Sequence, residues 1–259
     1  MSNASNTYLD RENARRLPGN HKGYRGQFRR RCAWLVWACA SLSGLFLTSA
    51  AWAHGIAGKD AAFVEQSSGA QIAPFMYLGA KHMVTGYDHL LFILGVIFFL
   101  YRLSHVALYV TLFSIGHSVT LLAGVLFDLH VNSHLIDAII GLSVVYKAFE
   151  NLGGFQTLFG AQPNTKAAVL IFGLFHGFGL ATKLQEFNLS TNGLVANMAS
   201  FNVGVEIGQL LALCAMLFLM NLWRRTASFN RRAALANVAI LIAGFVLMEY
   251  QLAGYFLDK

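Results

Sequence analysis

Charge is what this chain has least of. Only 12% of its 259 residues are Asp, Glu, Lys or Arg, about half the ~25% of a soluble globular domain. Proline is reduced to 3 residues against 56% apolar composition, which excludes a disordered, proline-rich or collagen-like chain. Cysteine is as sparse, with 3 residues. Cys32 and Cys39 fall in the N-terminal leader, and Cys214 stands alone in an apolar run. Neither a disulfide framework nor a thiolate cage can be built from these, so a metal would have to use imidazole, carboxylate or amide ligands. There is no GxxxxGK(S/T) loop for nucleotide phosphates and no HExxH pair for a zinc hydrolase.

The formal net charge of +7 is local. Eight of the 19 basic residues (Arg11, Arg15, Arg16, Lys22, Arg25, Arg29, Arg30 and Arg31) precede position 32, opposed by Asp10 and Glu12. The rest of the chain keeps eleven of the 19 basic and ten of the 12 acidic residues, an excess of one. No basic face remains for nucleic acid.

Arginines 29–31 lead into an apolar run from Cys32 to Leu47 and then into Ala51-Trp52-Ala53. This is the form of a secretory signal peptide with an A-x-A cleavage site, an uncleaved signal anchor being the alternative. Cleavage would make 1–53 a leader and His54 the new N-terminus. Its imidazole and free α-amine could then chelate a copper or nickel ion.

A membrane-crossing helix needs about 20 mostly apolar residues. Six candidates follow, near 86–102, 105–127, 133–150, 166–183, 194–223 and 233–256. The expected fold is an all-α integral membrane protein, a six-helix transmembrane bundle over 86–259 behind a cleavable signal peptide. Residues 54–85 are expected to form an external segment ending in an amphipathic approach helix, Ile72 to about Thr85. Arg102, Lys147, Lys166, Arg224, Arg225, Arg231 and Arg232 fall on one side of this topology, and Lys59, Lys81, Lys183 and Lys259 on the other. The positive-inside rule then puts both mature termini in the periplasm of a bacterial inner membrane.

Ionisable groups inside a bilayer are costly and mark function by default. The first span opens with His82-Met83-Val84-Thr85-Gly86-Tyr87-Asp88-His89. On a continuous helix His82 and His89 lie two turns apart on one face, with Asp88 about 100° away from His89. A break at Gly86 would let all three converge. His117 lies near the middle of the second span, and His176 near the middle of the fourth, between Phe175 and Gly177. Asn202, Glu206 and Gln209 follow i, i+4, i+7 and form a polar stripe on the fifth. Glu150 sits at the inner end of the third. His105, His130 and His134 read as surface or interface residues.

HMVTGYDHLLFIL, with its H-x5-D-H spacing, GHSVTL, the FENLGG region, FGLFHGFGLA and FNVGVEIGQ occur in an order that resembles the HupE/UreJ family of membrane proteins, particularly its second branch. The resemblance spans about residues 75–255. It implies a signal peptide, six helices, and a permease for nickel or a related metal that serves hydrogenase or urease assembly; no enzymatic activity is expected. It also implies that His82, Asp88 and His89 match an essential motif at the external mouth, and that His176 matches the histidine of a later F-H-G motif. Better-studied nickel permeases of the family carry a further histidine and acidic residue just after F-H-G, where this chain has Gly179-Leu180-Ala181-Thr182. Copper, cobalt and zinc therefore stand beside nickel as candidate ions.

The resulting expectation is an ATP-independent permease for a divalent transition-metal ion. His54, His82, Asp88 and His89 would capture the ion, His117, His176, Asn202 and Glu206 would hold it at mid-depth, and Glu150 would assist release. The alternatives are a metal-binding accessory subunit or metallochaperone of a membrane enzyme, an intramembrane zinc hydrolase, and a haem protein using facing histidines. The partners expected are the metal ion, the lipid bilayer, and a membrane enzyme or a second copy of the chain.

Overall fold

A computed structural model describes residues 59–187 and 189–257. The leader and His54 lie outside the described residues. The described residues form helices joined by short turns, with no strand among them. In chain order these are α1 (Lys59–Gln66), α2 (Ile72–Thr85), α3 (Tyr87–Ile97), α4 (Leu103–Leu126), α5 (Ser133–Asn151), α6 (Gly154–Phe159), α7 (Thr165–Gln185), α8 (Leu194–Arg224) and α9 (Ala227–Leu257).

Local chemistry sets several of these limits. Asn132 and Asn164 cap α5 and α7, their side-chain oxygens accepting from Leu135 N, and from Lys166 N and Ala167 N. The GGFQTLFG stretch, which falls between the expected spans 133–150 and 166–183, forms the short helix α6 between Gly153 and Gly160. Both glycines stand at φ +72°, where a Cβ is disfavoured. Four helices (α4, α7, α8 and α9) are long and apolar enough to cross a membrane. At 1.5 Å per residue the shortest of them, α7, reaches about 31 Å, close to the ~30 Å hydrocarbon core. The 19-residue α5 is long enough but carries Asp137, Lys147 and Glu150. All three are buried in ion pairs: Lys147 Nζ lies 2.5 Å from Glu150 Oε2, and Lys183 Nζ 2.7 Å from Asp137 Oδ2.

The first expected span, 86–102, takes a different form. α3 has only 11 residues and ends at Ile97. The segment expected as an approach helix, α2, lies instead along α8, with Phe75, Leu78, Gly79 and Met83 buried. Its backbone comes so close that a Cβ at Gly204 would collide with the Met76 carbonyl oxygen, and one at Gly79 with that of Phe201. Together α2 and α3 accompany α8 from end to end. Gln71 N donates to Asn197 Oδ1 at 2.6 Å at one limit, and Arg224 Nη2 donates to the Ile97 and Phe98 carbonyls at the other.

Two further pairs carry most of the remaining packing, α4 with α7 and α5 with α9. Glycines seat both. A Cβ at Gly173 would lie 2.5 Å from Phe113 O, and one at Gly141 would lie 2.6 Å from Met248 N. Small residues of this kind let helices approach where lipid offers no hydrophobic drive to association. The contacts also give direction. Residues 113 and 124 face 173 and 181, so α4 and α7 are parallel, as α2 and α8 are. Residues 141 and 145 face 248 and 244, so α5 and α9 are antiparallel.

α9 begins at Ala227, six residues before the expected span 233–256. Phe229 is buried there, with ring centroids 5.9 Å from Phe98 and 5.1 Å from Trp223. This aromatic knot extends the helix one and a half turns beyond the apolar run.

Candidate metal centre

The α2–α3 break at Gly86 builds the site. Gly86 is extended (φ −74°, ψ 94°), so α3 starts anew at Tyr87 and places Asp88 in its first turn. A carboxylate is favoured at that end of a helix by the backbone dipole. A Cβ at Gly86 would press to 3.2 Å of Asp88 Oδ1 and 3.3 Å of His89 Nδ1. The glycine therefore makes room for the hydrogen bond between these two side chains, 3.0 Å long.

His89 is the hub. Its ring centroid lies 4.7 Å from that of His176, 5.3 Å from His82 and 5.7 Å from His117. Asp88, His89 and His176 offer ligand atoms that all fall within 4.8 Å of one another. Asp88 and His176 are 0% exposed, His117 1% and His89 2%, while His82 is half-buried. Phe92 and Phe113 pack on the His176 ring, at 5.3 and 5.1 Å, and form apolar walls.

Hydrogen bonds fix which nitrogens can bind a cation. Asp88 accepts from His89 Nδ1–H, so the lone pair of that ring is on Nε2. His89 Nε2 and both nitrogens of His117 have no hydrogen-bond partner among the described residues. Buried polar atoms normally have one. Imidazole nitrogens with one carboxylate form a donor set that suits nickel, copper, zinc and cobalt. A dication would also neutralise the buried Asp88 carboxylate, whose ionised form is costly away from water.

The structure thus gathers His82, Asp88, His89, His117 and His176. The cluster lies near the middle of α4 and α7, where the resemblance implies a mouth for the first three residues. The discontinuous α2–α3 extends beyond Asp88 in both directions, which draws the motif inward.

The other expected residues lie elsewhere. Glu150 is bound to Lys147 and accepts from Gln162 Nε2 and Thr165 Oγ1. Glu206 accepts from Ser118 Oγ at 3.2 Å and lines a groove of ≈ 430 Å³ between α4 and α8, with Thr111, Ser114 and Leu210. Ser118 follows His117 in sequence but points about 100° away round the helix. Asn202 is half-buried, and Gln209 Oε1 accepts from Ser114. The polar stripe of α8 therefore faces α4 and does not reach the histidines through these bonds. His134, expected at a surface or interface, contacts Gln251 Oε1 through Nδ1 at 2.8 Å.

The family model of the HupE / UreJ protein, second branch, matches residues 58–259. The chain belongs to the HupE/UreJ family. No curated protein and no solved structure matches it. The family is associated with nickel and cobalt transport and is of transporter type, its members not known as enzymes. In this member the matched region contains the four helices that, among the described residues, are long and apolar enough to cross a membrane, and the Asp88, His89 and His176 cluster.

Three contributors escaped the sequence reading. Ser143 Oγ lies 3.1 Å from His176 Nε2, and Phe92 and Phe113 wall the site. Ser143, Lys147 and Glu150 have the same i, i+4, i+7 spacing that singled out the α8 stripe, so that test applied to α5 would have found the serine.

Proposed function

We propose that this HupE/UreJ member is an ATP-independent permease for a divalent transition-metal ion, with nickel the first candidate and cobalt, copper and zinc its competitors. The observation that carries this reading is the enclosed Asp88–His89–His117–His176 cluster, whose side chains come from the first turn of α3 and from near the middle of α4 and α7. A site there is reached by rearranging helices around a fixed point, as in transporters built on discontinuous helices.

Six membrane passages fit the helix directions. If α2–α3, α4, α5, α7, α8 and α9 cross in alternation, the first and fifth must be parallel, the second and fourth parallel, and the third and sixth antiparallel. The three packed pairs have these directions. The ion pairs of α5 reduce the cost of its charges in such a span. With Arg102, Arg224, Arg225, Arg231 and Arg232 on the cytoplasmic side of a bacterial inner membrane, both mature termini are periplasmic. A dication then moves inward down the membrane potential, favoured by about 4.6 kcal/mol per 100 mV for its two charges.

The complete enclosure of Asp88 and His176 supports a second reading, a metal-holding accessory subunit of a membrane enzyme. Initial uptake of radioactive nickel by cells expressing the full chain, wild type beside His176→Ala, tests the first. Uptake that rises with the wild type and falls to background in the variant supports the permease. Equal membrane expression with no wild-type uptake of nickel, cobalt, copper or zinc refutes it, and metal retained by the purified chain would then favour the accessory subunit.

A further inference from the structure

Ser143 Oγ has two neighbours, the Ile140 carbonyl oxygen at 2.6 Å and His176 Nε2 at 3.1 Å. A hydroxyl carries one proton. The carbonyl can only accept, and two oxygens at 2.6 Å with no proton between them would repel each other. The serine proton is therefore committed to Ile140, and the bond to His176 must run the other way, with Nε2–H donating to the serine oxygen. The His176 lone pair is then on Nδ1.

From this proton count we infer that Ser143 is a positioning residue that locks His176 in the Nε2–H tautomer and so selects Nδ1 as its ligand atom. The inference rests on the metal-permease reading for its purpose and on the two serine contacts for its content. Asp88 imposes the opposite tautomer on His89, whose ligand atom is Nε2. Two rings at 4.7 Å between centroids thus present different nitrogens, each fixed by a partner on its other edge. This is the usual task of groups behind ligating histidines. Ser143 is 0% exposed, and its 3.1 Å contact with His176 Nε2 is direct.

The test is nitrogen-detected NMR of the full chain, labelled with ¹⁵N-histidine and purified in detergent without metal. His176→Gln assigns the His176 ring signals by their disappearance. The wild type is expected to show Nε2 as pyrrole-type and Nδ1 as pyridine-type nitrogen. Ser143→Ala should release the ring to the other tautomer in part and weaken binding of added Ni²⁺ about 10–100-fold. Ser143→Thr should restore both, because threonine in a helix can bond the i−3 carbonyl in the same way. A wild-type His176 protonated on Nδ1, or a tautomer unchanged in Ser143→Ala, overturns the inference. Helical circular dichroism equal to wild type separates these results from misfolding. If the tautomer responds as expected but the wild type moves no metal, the permease reading falls and the positioning role stands. If uptake is normal and the tautomer is indifferent to Ser143, the reverse holds.

Discussion

Replacing Asp88 separates the two tasks its position allows. Asp88→Asn preserves volume and an acceptor oxygen for His89 Nδ1, 3.0 Å away, but removes the charge. Carboxylate partners of ligating histidines are worth about 10–100-fold in metal affinity, or about 1.4–2.7 kcal/mol. Asp88→Ala also leaves the His89 Nδ1–H buried with no acceptor from residue 88, which costs about a further 1–3 kcal/mol. The expected order of Ni²⁺ affinity is wild type, then Asn, then Ala, with the first step near 10–100-fold. Equilibrium dialysis of the purified full chain measures it, with helical circular dichroism as the control for folding. An Asn variant that binds within twofold of wild type would refute the account of His89 given above. A loss far beyond 100-fold in that variant would make Asp88 a direct ligand.

Two further predictions concern the scaffold. Gly204→Ala drives a methyl group into the Met76 carbonyl of α2 and should lower stability by about 1–3 kcal/mol, as overpacking does. Gly95→Ala meets side-chain methylenes of Lys147, 3.1 and 3.5 Å away, and no backbone atom, and should cost less. Thermal unfolding in one detergent compares them, and equal losses would contradict the close α2–α8 approach. Lys183→Met strands the buried Asp137 and should cost about 3–5 kcal/mol, whereas the double variant with Asp137→Leu should recover most of it. A double-mutant cycle without that recovery would show that the pair is not coupled.

Helix limits were legible because they are written locally. Ile72–Thr85 matches the expected approach helix, the break at Gly86 is one of two conformations the sequence allows, and the five later apolar runs match α4, α5, α7, α8 and α9 except near their ends. Partner choice was not legible. A helix such as α9 is apolar nearly all round, so its periodicity says little about which face meets protein and which meets lipid. Glycines such as Gly141 and Gly244 signal a close approach but not to whom. The extent of the first span was lost for a related reason. Lys81 and His82 make α2 look amphipathic, yet Lys81 sits at the exposed edge with Asp60, 2.6 Å away, while the apolar side of α2 packs along α8.

The site was legible as residue types and not as a place. His82, Asp88 and His89 are near in sequence, but their cluster with His117 and His176 needs α3 to pack beside the contact of α4 with α7. Gly177 controls that contact. It follows His176 directly, and a Cβ there would collide with the backbone carbonyl of His117. Thr120 Oγ1 clamps the same crossing by donating to Leu174 O at 2.7 Å. The glycine of the F-H-G motif thus shapes the candidate site without contributing a side chain to it, because any larger residue would push apart the helices that carry the two histidines. The α4–α7 crossing sets how far His117 lies from His176, and the placement of α3 brings the His89 ring within 5.7 and 4.7 Å of theirs, which is why spacing along the chain could suggest candidate ligands but not bring them together.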